Sequence, residues 1–404
     1  TYTGSVIDNL ISANTNVSGA TLGSSVIVNN FSVQSGLFNL GASYTLTITG
    51  TYTNSGTLTA NGASCILELK GGSPQNFSVG TYTGSVITNL KINNSTGVTL
   101  TAPVNATTLT LTSGLLTSTS ANLITVTGTA TTNISGGSAT TYINGPLART
   151  FPASLTTGTY TFPVGKNIYN LFELVNPTTS SAGTVVVTAE VFDAAPGGID
   201  GVGFSSGSSN RYWSATKSGA GAFTSTGNIR LTDGSITLTA SNVIGNSGTS
   251  TGTYNTLGGT VVSSTIASVV SAPVTLGYYM IGTKACIGSP SVTTTYTVGP
   301  TGDFAKLTNV ANTLNNSTIC GNLVFEFQSA YDGTTGETFP IAFNALNYSG
   351  GPWTVTIRPN SSVASTLTVS GSSTTQLINL NGADYLTFDG RPGGVGSSKF
   401  LTFS

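Results

Sequence analysis

The sequence predicts an all-β chain in three parts. A repetitive β-solenoid covers residues 1–140 and an antiparallel β-sandwich covers 141–284. After a linker at 285–295, residues 296–404 form a capping helix and the first rungs of a parallel β-helix. Three observations carry this reading. A stretch near the start is written twice, apolar residues alternate with Thr at a period of two, and helical periodicity is confined to one segment after residue 303.

The doubled stretch comes first. TYTGSVIDNL at 1–10 returns as TYTGSVITNL at 81–90, an offset of 80 residues. Ser35-Gly36-Leu37 returns as Ser113-Gly114-Leu115, and YTLTITGT around Gly50 returns as LITVTGTA around Gly128, both at an offset of 78. A fixed period with small slippage marks a stacked architecture, in which each unit buries its apolar face only against its neighbours. Within it, Tyr44–Thr49, Thr107–Thr112 and Leu123–Thr127 place Leu, Ile and Val on one face and Thr on the other, as a strand with one dry face requires. Gly, Asn and Ser clusters separate these runs at intervals too short for crossover helices. The rows of Thr hydroxyls raise ice binding as a minor alternative, against the plainer reading that Thr is a good solvent-facing strand residue.

Composition narrows the function. Charged residues are 6% of the chain, where ordinary globular domains have roughly 25%. A net charge of −1, from 12 basic and 13 acidic residues, leaves no electrostatic footprint for nucleic acid or an anionic membrane. Hydrophobic residues at 38% suffice for a core, so the low complexity does not mean disorder. No apolar run is long enough to span a bilayer. Asp8, Glu68, Lys70 and Lys91 are the only charged residues before Arg149, which leaves acid–base catalysis almost nothing to work with there. The chain contains no His, which removes Ser-His-Asp and Cys-His catalysis and His-ligated zinc.

From Thr141 the repeat stops, and charges, Pro and aromatics rise. YINGPLARTFPASLTTGTYTFPVGKNIYNLFELVNP, GTVVVTAEVFDA, RYWSAT, NIRLTD, SITLTA and GYYMIGTK read as short strands between tight turns. Phe162, Phe172, Tyr212, Trp213 and Tyr279 are the expected aromatic core. Arg149, Lys166, Glu173 and Arg211 could line a ligand groove, although solvated sheet-edge charges are the preferred reading. These residues, from YINGPLART through RYW to MIGTK, resemble a module of very large Bacteroidetes surface proteins exported by the type IX secretion system, adhesins and gliding-associated proteins among them. The resemblance implies a secreted, cell-surface location and brings no catalytic residues.

The third part opens with YTVGPTGDFAKLTNVANTLNN, where Asp303 is expected to cap a helix that buries Phe304, Leu307, Val310, Ala311 and Leu314. LVFEFQ, WTVTIRP, STLTVSG and QLINLNGADYLTFDGR follow as strands in units of roughly 20 residues. NLNGADYLTFDGR resembles the opening rungs of pectate-lyase-like right-handed β-helices in the same bacterial surface proteins. That likeness includes polysaccharide lyases and hydrolases, so Asp384, Asp389 and Arg391 are the candidates for an enzymatic alternative. Asp389-Gly390 is nevertheless a turn signal before it is anything else. Tyr331, Tyr348, Trp353 and Tyr385 are the nearest candidates for contact with a glycan.

Asp193, Asp200, Asp332 and Glu337 lie in Gly-containing loops and are the candidates for a structural Ca²⁺, isolated acidic turn residues being the commoner case; no other cofactor is expected. Cys286 and Cys320 flank the start of the third part and are expected to form a disulfide whose 34-residue loop contributes on the order of 3–4 kcal/mol, with Cys65 buried or free. The chain begins at Thr1 without a signal peptide and ends within a strand pattern, so a longer secreted precursor is expected. The expected role is non-catalytic: a stalk or fibre segment of a surface adhesin, with neighbouring copies of itself or a surface polysaccharide as partners, and no nucleic acid.

Overall fold

The computed structural model describes residues 6–404 apart from Val17, Val79, Val202, Thr334 and Thr335. The first five residues of the doubled stretch therefore lie outside the described residues. The chain is all-β: strands take 47% of it and helix 5%.

Among the described residues before Leu147, the named strands pair with one another only in parallel. The strands Ile7–Ala13, Val26–Ser35, Thr45–Ile48, Ile66–Gly71, Ile87–Asn94, Val104–Ser113 and Ile124–Val126 follow one another in one ladder. Two further ladders run beside it. One joins Ala20–Thr21, Leu37–Asn39, Thr57–Thr59 and Thr81–Tyr82; the other joins Gln75–Phe77, Val98–Leu100, Leu116–Thr117, Ile143–Asn144 and Val164–Lys166. Parallel pairing thus continues past residue 140.

Such stacking sets like above like. Leu46, Leu67, Leu90 and Leu109 form one buried column, and Val28, Ile48, Leu69, Ile92 and Leu111 form the next. Each of these burials stabilises by roughly 2 kcal/mol. On the solvent side amides and hydroxyls link successive tiers: Asn30 Nδ2 donates to Asn9 Oδ1 at 3.0 Å, and Thr51 Oγ1 donates to Asn30 Oδ1 at 2.8 Å.

The doubled sequence is a doubled register. Ile7, Asn9, Leu10 and Ser12 pair with Val28, Asn30, Phe31 and Val33, while Ile87, Asn89, Leu90 and Ile92 pair with Ala106, Thr108, Leu109 and Leu111. Both pairs carry a bulge at the same place, after Ser12 and after Ile92. The Ser-Gly-Leu motif has a steric origin. Gly36 and Gly114 have φ of +68° and +73°, and a Cβ on either would strike a backbone carbonyl oxygen, that of Asn14 or that of Asn94. The first copy therefore spans four strands of the main ladder.

At Leu147–Phe151 the pairing changes. Arg149 lies parallel to Val126 on one side and antiparallel to Val187 on the other. From there Val185–Phe192, Tyr212–Ser218, Gly277–Lys284 and Asn242–Ser247 extend the sheet in antiparallel fashion. A second antiparallel sheet orders Thr159–Phe162, Phe172–Val175, Asn228–Thr232, Thr265–Ala267 and Thr260–Val262. Aromatic contacts join the two sheets: Phe151 stacks on Tyr160 at 4.0 Å, and Phe172 meets Tyr279 at 5.6 Å. Phe162, Phe172, Trp213 and Tyr279 are fully buried there, in the same core as the parallel ladders.

Two expectations are altered in this region. Tyr212 lies on the opposite face of its strand from Trp213, because neighbouring strand residues alternate faces; it is half-buried against a second, smaller cluster of Phe204, Val243, Tyr254 and Met280, and its ring stacks on Phe192 at 4.6 Å. SITLTA, residues 235–240, is turn and loop. Asp233 Oδ1 accepts from the Ser235 amide at 2.9 Å and its hydroxyl at 2.6 Å, so a side chain takes the backbone group that a strand would have used.

The third region has its own core, from Ile287 to Val369. Thr294–Val298, Leu323–Phe327, Val355–Pro359 and Leu386–Phe388 form a parallel ladder in which Thr294 pairs with Leu323, Leu323 with Val355 and Val355 with Leu386. Those steps are 29, 32 and 31 residues, longer than the expected 20, because each tier carries extra strands and loops such as Ile341–Asn344 and Leu367–Val369. The helix, Leu307–Asn316, falls between the first two ladder strands and buries Leu307, Val310, Ala311 and Leu314. Cys286 and Cys320 form a disulfide, with Cα atoms 5.7 Å apart, while Cys65 is buried and free, its thiol pushed up by burial.

Candidate functional site

The helix start shows how this chain uses charge. Asp303 does not cap it: Asp303 Oδ2 accepts from the Thr297 amide at 2.8 Å and hydroxyl at 2.9 Å, closing the preceding turn. The cap is Glu337, whose Oε1 accepts from the Leu307 amide at 2.9 Å and whose Oε2 accepts from the Thr308 amide at 2.8 Å. A carboxylate there satisfies two orphan donors and complements the positive end of the helix dipole. Glu337 also accepts from the hydroxyls of Thr308 and Tyr331. Both of its oxygens are thus committed, which takes it out of the candidate Ca²⁺ ligands.

The same contacts decide the fate of Tyr331. It is 7% exposed, packs on Phe327 at 4.5 Å and lies beneath the Lys306 ammonium. Burial, reinforced by the Glu337 carboxylate, pushes its phenol far above the ordinary range. Its face cannot receive a sugar, so this glycan-contact expectation is corrected. Tyr348 and Tyr385 do come together, edge to face at 5.7 Å. Tyr385 is 60% exposed, whereas Tyr348 is half-buried and donates to the Asp384 carbonyl at 2.6 Å. Burial, with Asp384 and Tyr385 alongside, pushes the Tyr348 phenol up to about 12. Trp353 is half-buried and its indole N–H is taken by the Ser349 carbonyl at 2.7 Å.

The carboxylates proposed for chemistry are held in turns. Arg391 grips Asp389 through Nε and a terminal nitrogen, both at 2.9 Å, and its amide donates to the same carboxylate at 3.0 Å. These bonds hold Asp389 below the usual carboxylate range. The pair borders an open cleft of about 400 Å³ with Phe388, Lys399 and Phe403. Asp384 is exposed and does not line that cleft.

The middle region's charges serve separate structural jobs. Arg149 is 0% exposed and donates to the carbonyls of Thr161 at 2.8 Å and of Ala130 and Thr131 at 3.0 Å, with the Tyr160 ring at 5.0 Å. Burial lowers its guanidinium to about 10, so it is charged at neutral pH. Glu173 pairs with Arg230 at 2.9 Å and accepts from Thr161 at 2.9 Å. Arg211 bridges Asp193 at 2.9 Å and the buried Asp233 at 3.4 Å, and Asp233 also accepts from Ser209 at 2.6 Å. Lys166 is exposed at the end of its strand. These residues form no common groove. Asp193 is tied to Arg211 and Asn167, and Asp200 accepts from the Ser206 amide at 2.9 Å. Among the described residues no three His, Cys, Asp or Glu side chains gather as a metal site would require.

The Thr rows are interrupted in three dimensions. The outward column of the main ladder reads Ile27, Thr47, Glu68, Lys91, Thr110 and Ser135, with Glu68 and Lys91 paired at 2.9 Å. In the third region the corresponding column reads Thr297, Glu326, Arg358, with an ion pair at 2.8 Å. A flat hydroxyl array is therefore absent from these columns, which removes the geometric basis that ice binding would need there.

Sequence reasoning missed a cleft of about 430 Å³ between the strand Thr253–Thr256 and the helix, lined by amides and hydroxyls that no motif links. The arrangement as a whole can offer neutral hydrogen bonding and ring contacts at its surface. Comparison with protein-family models, curated proteins and solved structures found no match to this chain.

Proposed function

We propose that this chain is a non-catalytic structural segment of a long secreted surface adhesin or extracellular fibre. In this reading residues up to about 150 are turns of a β-solenoid, the antiparallel region is a β-sandwich, and residues from about 296 open a right-handed parallel β-helix. Its partners are neighbouring copies of itself and surface polysaccharide. The resemblance of the middle region to type IX secretion cargo of Bacteroidetes supports the export route.

The carrying observation is the repetition of register. A pairing pattern, its bulge and its sterically required glycine recur after 78 to 80 residues, so length is built by copying rather than by folding a new pocket. Eight parallel tiers from Ile7–Ala13 to Leu147–Phe151, at about 4.8 Å apart, make roughly 34 Å of height, with apolar columns inside and mostly uncharged residues outside. Electron micrographs of the purified chain are expected to show single rods or rods joined end to end. Round particles would sink the reading.

A second reading, glycan contact, draws on one feature, the exposed Tyr385 set edge to face on Tyr348. Loss of polysaccharide pull-down on Tyr385→Ala would favour it.

A further inference from the structure

We propose that the cleft between the antiparallel region and the helix is a binding site for a neutral oligosaccharide. One wall is the helix face opposite its buried apolar stripe, where Asn309 and Asn312 are exposed and Asn316, one turn on, is buried with its amide donating to the Asn312 carbonyl at 2.7 Å. The other wall is Asn255 and Thr256, and Phe304, 5% exposed, also lines the cleft. Phe304 meets Tyr296 edge to face at 5.6 Å. Tyr296 and Asn255 line an adjoining cleft of about 440 Å³, so Asn255 is shared by two depressions.

The chemistry selects the ligand. Among the described residues the side-chain amides of Asn255, Asn309 and Asn312 make no hydrogen bond within the chain, although the protein's other amides are largely consumed by ladders and turns. Each free carboxamide offers two donors and an acceptor, the complement that a sugar hydroxyl needs. Asp303 is the single charged residue lining the first cleft, and Thr297 already occupies it. An anion would find no countercharge there and a cation only Asp303, whose Oδ2 Thr297 already occupies, whereas a neutral polyol would find paired donors and acceptors. At about 430 Å³ the cleft falls in the range of small-molecule sites.

The proposal is independent of the stalk reading and of Tyr385. It is tested by titrating the full chain, by calorimetry and by NMR of the Asn side-chain amides, with neutral pentasaccharides of β-1,4-glucan, β-1,3-glucan, xylan, mannan and chitin, and with pentagalacturonate as the charged control. At least one neutral sugar is expected to bind and to shift the amide signals of Asn309 and Asn312. The double substitution Asn309→Ala and Asn312→Ala is expected to weaken that binding about tenfold or more without lowering the melting temperature, since both side chains are exposed. Tyr385→Ala is expected to leave it unchanged. The proposal is overturned if no neutral sugar binds, if pentagalacturonate binds as tightly, if the double variant binds normally, or if only Tyr385→Ala abolishes binding.

Discussion

The parallel ladders before residue 150 and the antiparallel sheets after it share one core but organise their polar groups in opposite ways. In the ladders each residue sits over its counterpart in the next tier, so a favourable choice can be repeated, and the main outward column carries one ion pair, Glu68 with Lys91. In the antiparallel region the sequence repeat has stopped, and neighbouring strands run in opposite directions. Polar groups there are single anchors sunk into the interior: Arg149 among three carbonyls, Asp233 among Ser209, Ser235 and Arg211. Translation distributes stability over many equivalent contacts, and its absence concentrates stability in a few.

The largest effect expected follows from the point where the repeat is sterically strict. Gly36→Ala and Gly114→Ala each force a side chain into the left-handed region and against a carbonyl, and each should cost about 4 kcal/mol in denaturant titration. The sharper expectation is that the two agree within about 1 kcal/mol, because their surroundings are copies. A large inequality would mean that the repeat is one of sequence but not of energetics.

Next in size is Arg149→Met, at the residue where parallel pairing gives way to antiparallel. Lowering the guanidinium from 12.5 to about 10 means that burying the charge costs on the order of 3 kcal/mol, which Met would recover. Against this, the carbonyls of Thr161, Ala130 and Thr131 lose charge-assisted bonds, at about 2 kcal/mol each. The carbonyls win, so a net loss of about 3 kcal/mol is expected in the same titration. A variant as stable as the parent would show that this junction tolerates an apolar plug and that the contrast between the regions is weaker than drawn.

How far the sequence could be read divides along the same line. The repeat was legible because Gly36 and Gly114 answer a local steric demand, and because alternation of Leu with Thr maps directly onto inward and outward columns. What was illegible depends on partners distant in the chain. The helix cap comes from Glu337, 30 residues beyond Leu307, rather than from nearby Asp303. The strand expected at residues 235–240 was undone by the side chain of Asp233. The rings of Tyr331 and Tyr212 lie on faces that only the tertiary packing determines. The amide cleft joins residues 255 and 309, and no spacing rule connects them.

The smallest effect tests the ladder's own charges. Burial by itself would raise the Glu68 carboxyl, but hydrogen bonds from Asn93, Lys91 and Thr47 outweigh it and the net shift is downward. A carboxylate lowered in the folded state stabilises above its unfolded value, near 4.5, and that contribution is lost as pH falls through the folded value. Glu68→Gln should therefore cost less than about 1 kcal/mol at pH 7, because Lys91 is partly exposed and water screens the pair. Titrations from pH 7 down to pH 3 should bring variant and parent together, since the parent alone has this contribution to lose. If the two curves stay parallel across that range, Glu68 is no more than a hydrogen-bond acceptor. If the gap at pH 7 instead approaches that of Arg149→Met, the ladder too depends on single anchors, and repetition is not what makes its charges dispensable.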